Sequence, residues 1–261
     1  MSHDCIMDMN YIGLITLVRK ETVRMFRVVT QTILAPLISA ALYIFIFGTI
    51  VGTRIDEVAG VSYIEFVFPG ILMLSIITAA FAHSSSSIFT GKYFNFIEEV
   101  LIAPFSYLEI VLGYMVSGIV RALIVAFGVL GIGIVMGAVS LVHIPLFVFY
   151  VLGVATIFSL LGMLSGLFAQ NFDQLSMLTT FLITPFTYLG GIFYSLTMLP
   201  TTAQLITQFN PFFYFVDGIR YSMTGITEAH MGIGWLVIAG LIVGMFWLVM
   251  YLFRIGWRIR S

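Results

Sequence analysis

His83 is followed by four serines, Ser84 to Ser87, the residue types of a base beside a nucleophile. Hydrolysis by such a pair needs a base in fixed geometry and an oxyanion site. No G-x-S-x-G turn occurs in the chain, so the run reads as the polar end of an apolar helix. Glu98 and Glu99 are adjacent carboxylates, suited to pairing with basic residues of a docked partner. Arg121 lies fifteen residues after Ser106, about 22 Å along a helix. At that depth in a membrane an arginine meets an anionic head group in a pathway, or snorkels to the interface. Asp217 and Arg220 are three apart and can pair on one helix face. The single cysteine, Cys5, excludes an internal disulfide, and the four histidines show no metal-ligand spacing. No G-x-x-x-x-G-K-[ST] occurs, so the chain has no P-loop for ATP.

The elements that must position these residues follow from the scarcity of charge. Hydrophobic residues make up 61% of the 261 and charged residues 9%, against roughly 25% charged in a soluble domain. No charged residue occurs between Arg121 and Asp173. A spanning helix needs about 20 mostly apolar residues, and the uncharged tracts place spans at 28–52, 66–90, 106–138, 144–170, 175–198 and 232–253. The expected fold is an all-α polytopic membrane protein with six transmembrane helices. An N-terminal segment over 1–27 precedes a membrane domain over 28–256, and a basic tail closes the chain over 254–261.

Three shorter elements complete this expectation. Tyr11 to Arg27 reads as an amphipathic helix in the membrane interface, with Leu14, Ile15, Val18 and Met25 on one face and Lys20, Arg24 and Arg27 toward lipid phosphates. Residues 92–105 read as a short amphipathic cytoplasmic helix with Asn95, Glu98 and Glu99 on one face, stopped by Pro104. Ser106 and Glu109 form the S-x-x-E box that starts the following span. Asn210 and Pro211 read as N-cap and first position of a helix ending at Gly225. That helix is too short to cross and is expected to be re-entrant or interfacial on the extracytoplasmic side. Six spans put both termini on one face. With both in the cytoplasm, Arg19, Lys20, Arg24, Arg27, Lys92, Arg254, Arg258 and Arg260 are inside and Arg54 and Arg220 outside, in line with the positive-inside rule. Three G-x-x-x-G pairs, Gly133/Gly137, Gly162/Gly166 and Gly240/Gly244, allow close helix packing within the bundle or between copies.

Three segments together resemble ABC-2 type transport permeases. The first is Ile97-Glu98-Glu99-Val100-Leu101-Ile102-Ala103-Pro104-Phe105-Ser106, followed by Glu109-Ile110 and Gly113. The second is Thr184-Pro185-Phe186-Thr187-Tyr188-Leu189-Gly190-Gly191-Ile192-Phe193-Tyr194-Ser195. The third runs from Asn210-Pro211 to Asp217-Gly218-Ile219-Arg220. Tyr114 departs from the family pattern, which commonly has Lys there. The resemblance implies a permease half of an ATP-driven exporter in the bacterial inner membrane, coupled through Asn95, Glu98, Glu99 and Pro104 to two copies of a separate ATPase. It implies a second copy of this chain, membrane lipid around it, and an amphipathic or lipid-linked substrate. No nucleic acid is among these partners. It implies no cofactor in this chain, ATP and Mg being held by the ATPase, and no enzymatic activity of its own. Arg121, Tyr188 and Phe193 are the candidate pathway residues, with Phe186 and Tyr194 as further aromatics. The alternatives are a secondary transporter driven by an ion gradient, against which it counts that no Asp or Glu lies clearly inside a span, and a membrane scaffold without transport.

Overall fold

The computed structural model describes residues 10–55, 57–96, 103 and 105–257. It is helical almost throughout. Helix α1 (Tyr11–Arg27) leads into a π-helical turn (Thr30–Leu34), α2 (Ala35–Phe45) and a second π-helical turn (Ile46–Val51). A two-residue hairpin follows, β1 (Glu57–Val58) paired antiparallel with β2 (Val61–Ser62). Its turn uses Ala59 and Gly60 at positive φ, 53° and 87°, the geometry tight hairpins require. Then come α3 (Tyr63–Tyr93), α4 (Tyr107–Val135), α5 (Ile144–Phe168), α6 (Phe172–Leu178), α7 (Thr184–Tyr188), α8 (Thr201–Phe209), α9 (Pro211–Thr224) and α10 (Met231–Arg254).

Among the described residues, five helices are long and apolar enough to cross a membrane: Thr30–Val51, α3, α4, α5 and α10. The expected fifth span over 175–198 is not one of them. Its helix stops at Tyr188, and the chain turns back through Gly191 at φ 81°. A left-handed glycine ends a helix because the next N–H can no longer reach back along the axis. The six-span count is therefore not met by helix length. The segment before the last span carries α8 ahead of the expected helix, α9.

Helix α3 is the axis of the bundle. Phe66, Phe68, Leu72, Met73, Ile76, Ile77 and Ala80 are buried along it, and it packs against α5, α4 and α9. Close approach to α5 uses small residues: a Cβ on Gly162 would lie 2.5 Å from the Phe81 carbonyl oxygen, and one on Gly166 2.7 Å from that of Ser85. This pair thus serves packing within the bundle. Gly240 and Gly244 have nothing within 4 Å.

His83 and its serines do not form the polar end of a span. Helix α3 continues to Tyr93, and His83, Ser84, Ser85 and Ser87 are buried inside the bundle. The hydroxyls find partners inside the bundle, so the helix carries them inward: Ser84 and Ser159 share a hydrogen bond at 2.7 Å, and Ser86 donates to the His83 carbonyl at 3.0 Å.

Helix α9 starts and ends where the sequence places it. Asn210 accepts from the Phe212 N–H at 3.1 Å, and Gly225 takes a left-handed φ of 78°. It does not lie on a surface, however. Phe212, Phe213, Phe215, Val216, Ile219 and Met223 are all buried, and α3, α5 and α10 surround it. Gly218 admits the Tyr150 ring where any side chain would collide.

Candidate substrate groove and the polar seams around it

A groove of about 370 Å³ runs between α2, α3 and α7. Two broken helices wall it. Pro36 and Pro185 lack the N–H that an interior helical position donates, and each is preceded by a π-helical turn. There Ala35 N–H reaches the Thr30 carbonyl and Thr184 N–H that of Thr179. Such turns widen the helix and expose backbone and side chains at one level, and are frequent at functional sites. Gln31, Ser39, Tyr43, Ser75, Thr78, Thr184 and Tyr188 supply the polar lining. No described residue lining the groove is charged. Tyr43 and Tyr188 join hydroxyls across it at 3.0 Å. Above them Phe193 stacks on Phe47 at 4.3 Å and lies 5.7 Å from the Tyr188 ring, and Tyr63 donates to its carbonyl at 3.2 Å.

The three candidate pathway residues are thus separated. Tyr188 lines the groove and Phe193 packs against the Tyr188 ring without lining it, whereas Arg121 neither lines the groove nor touches these rings. Arg121 is buried on α4, its Nε without a hydrogen-bond partner among the described residues. It lies within electrostatic reach of His83 and Arg24. Phe186 is partly exposed and touches the Phe212 ring.

Arg24 is the residue of α1 that sequence periodicity misplaces. Instead of facing lipid it turns inward, pairing with Glu21 at 2.9 Å and donating to Ser87. Ser87 in turn donates to Glu21 at 2.8 Å. The buried face of α1 is Leu17, Glu21 and Met25, and Tyr11, Ile12 and Ile15 are exposed. A buried carboxylate needs its charge partner and hydrogen bonds close by, and Arg24 and Ser87 are what α3 and α1 offer. Glu21 is therefore a carboxylate inside the bundle that reading the spans alone does not reveal.

On the side where residues 92–105 emerge, Lys92 closes the C-terminus of α5. Its Nζ donates to the carbonyls of Leu167 at 2.5 Å and of Gly166 and Ala169 at 3.4 Å, where unpaired helix carbonyls favour a cation. Phe89 and Tyr93 pack on Phe172, the first residue of α6, at 4.8 and 5.5 Å. Asn95 has φ 60° and its N–H returns to the Lys92 carbonyl. It is a left-handed stop to α3, which carries Lys92 in its last turn. Glu98, Glu99 and Pro104 lie outside the described residues. Ser106 and Glu109 form the expected capping box, at 3.2 and 2.7 Å.

At the opposite end, Asp217 and Arg220 do not pair with each other. Asp217 accepts from the Glu228 and Ala229 N–H groups and the Thr227 hydroxyl, at 2.8 to 3.1 Å. Burial raises its carboxyl above the usual range, while the bonds from Glu228 and Thr227 and the charge of Arg220 act the other way. Arg220 is fully buried. It donates to the Phe66 carbonyl at 3.2 Å and to that of Gly191 at 2.6 Å, with its guanidinium 3.9 Å from the Phe66 ring centre. The carbonyl that the turn at Gly191 frees is the one Arg220 takes. Asn210 fastens α7 as well, donating to the Phe186 carbonyl at 2.6 Å.

Residues 13–224 match the family described as ABC-2 type transporter. The inner membrane transport permease YadH of Escherichia coli K12 is 38% identical over 262 residues, covering 98% of this chain and 100% of that protein. Nodulation protein J of Rhizobium leguminosarum bv. viciae is 30% identical over 205 residues, 77% of this chain and 78% of that protein. Nodulation protein J of Rhizobium meliloti is 28% identical over 211 residues, 79% of each.

Proposed function

This chain belongs to the ABC-2 type transporter family, and from that premise we propose that it forms half of the transmembrane pathway of an ATP-driven exporter. It is a membrane subunit of a transporter. In our reading two copies face each other, and two copies of a separate ATPase dock in the cytoplasm against residues 92–105, with Glu98 and Glu99 as the charged contacts. ATP and Mg belong to that partner, since this sequence has no P-loop. The broken segment 172–198 would complete a sixth crossing, which leaves both termini in the cytoplasm as the charge distribution favours. The bacterial inner membrane, printed in the name of the Escherichia coli relative, is the location we propose.

The observation that carries this reading is the groove between α2, α3 and α7. Uncharged polar groups collected beside two proline-interrupted helices give an amphiphile somewhere to turn its head group within the bilayer, where isolated polar groups are otherwise costly. Opening of the ATPase-facing segment would reach the groove through Tyr93 and Phe172, because Phe172 begins the helix that ends at Tyr188. The test is co-purification with the ATPase encoded beside this chain, followed by vanadate-sensitive turnover. Glu98→Lys with Glu99→Lys should abolish stimulation of hydrolysis while leaving the permease folded. Full coupling in that double variant would remove the assigned docking role.

One observation favours a second reading, a gradient-driven secondary transporter: the buried Glu21 with Arg24 and Ser87. Transport that persists with vanadate and collapses with an uncoupler would favour it.

A further inference from the structure

The chemistry of the groove narrows what it can hold, resting on the reading of the groove as the pathway. Ser75 and Thr78 already spend their protons on their own helix, donating to the Ile71 and Leu74 carbonyls at 2.9 and 2.8 Å. What they present to the groove is oxygen lone pairs, that is, acceptors. Tyr43 and Tyr188 share one proton between their two oxygens, so the hydroxyl that accepts keeps its own proton to donate. Gln31 adds an amide with both donor and acceptor atoms. Ser39 and Thr184 add further uncharged hydroxyls, and the rest of the wall, with Ile71 and Leu74, is apolar.

Such a surface satisfies a group that both gives and takes hydrogen bonds. It offers no counter-charge: no lining residue is charged, and Arg24 and Arg121 belong to the α1–α3–α4 seam. A charged head group entering would lose its water without gaining an ion pair, which is costly in a bilayer.

We infer that the groove selects amphiphiles whose head group is uncharged and rich in hydrogen-bonding atoms, and rejects those whose head group carries a net charge. The apolar chain of such a molecule continues along Ile71 and Leu74 toward lipid.

The test uses the full-length permease in vesicles and a dodecyl maltoside carrying a photoreactive diazirine on its head group, at concentrations below micelle formation. Labelled peptides are mapped by mass spectrometry. Modification is expected in 31–43 and 184–188. Unlabelled dodecyl maltoside should compete at least about tenfold better than dodecyl sulfate or dodecyltrimethylammonium of equal chain length. Tyr188→Phe and Gln31→Leu should each lower groove labelling about 3- to 10-fold, the worth of one hydrogen bond. Competition by either charged amphiphile equal to the maltoside would overturn the selectivity and leave the groove as the pathway. Labelling confined to peptides around His83 and Arg121 would overturn both. If the groove labels selectively but Tyr188→Phe leaves transport by the ATPase complex unchanged, the selectivity stands and the pathway reading fails.

Discussion

Asn10 and Glu109, 99 positions apart, meet at the start of two helices. Glu109 takes the Asn10 N–H on one carboxylate oxygen at 2.6 Å and the Ser106 N–H on the other at 2.7 Å. Asn10 is the N-cap of α1 and Ser106 the N-cap of α4. One side chain therefore fixes how the amphipathic helix sits against the bundle. Leu17 completes the contact by lying where Gly113 leaves room.

Replacing Glu109 tests this joint. Glu109→Ala removes acceptors from two part-buried N–H groups and should cost about 1–2 kcal/mol. The measurement is thermal unfolding in detergent. Limited proteolysis should also release α1 sooner than in the parent protein. Ser106→Ala, which removes only the cap of α4, should destabilise without loosening α1.

The Glu21–Arg24–Ser87 seam gives a second expectation. Arg24→Ala strands the Glu21 carboxylate in the bundle and should destabilise by roughly 2 kcal/mol, below the value for fully buried pairs because Arg24 keeps 35% of its side chain exposed. Glu21→Gln combined with Arg24→Ala should recover part of that loss. A double-mutant cycle on chemical denaturation measures the coupling, and strict additivity would rule out the seam as an energetic unit.

Glycine packing can be checked by contrast. Gly162→Ala drives a methyl against the Phe81 backbone oxygen at 2.5 Å, and Gly166→Ala against that of Ser85 at 2.7 Å. Each should cost about 1–3 kcal/mol as overpacking. Gly240→Ala has no neighbour within 4 Å and should be neutral within the single copy. A change in oligomeric state on Gly240→Leu would instead mark α10 as a contact between copies.

Arg220→Lys should not be tolerated as a conservative change. A lysine cannot reach the Phe66 and Gly191 carbonyls together while covering the Phe66 ring. The expected loss is about 2 kcal/mol or more, read as a lower unfolding temperature and reduced accumulation in the membrane. Asp217→Asn keeps one acceptor oxygen for the 227–229 turn and should lose less.

Sequence alone determined what local rules govern. Long uncharged tracts dictate helices, because bilayer and bundle interior both demand that backbone groups pair within the segment. The boundaries of α1 and α9, the Ser106–Glu109 box and the stop at Gly225 are short-range chemistry, so residue types a few positions apart suffice to read them. The three family segments likewise stand on residue order. Only the tertiary structure decided which polar groups face each other. Arg24 lies on the basic side of an amphipathic pattern, yet Ser87, 63 positions away, turns it inward. Asp217 and Arg220 have ideal spacing for a pair, yet better partners lie in the 227–229 turn, at Gly191 and at Phe66. The serines after His83 resemble a helix end in composition, but sit inside because Gly162 and Gly166 let α5 close over them. The groove joins Gln31 and Tyr43 to Tyr188 across more than 140 positions. No periodicity encodes such a meeting, since burial and pairing are settled by which helices pack together and not by the turn on which a residue sits.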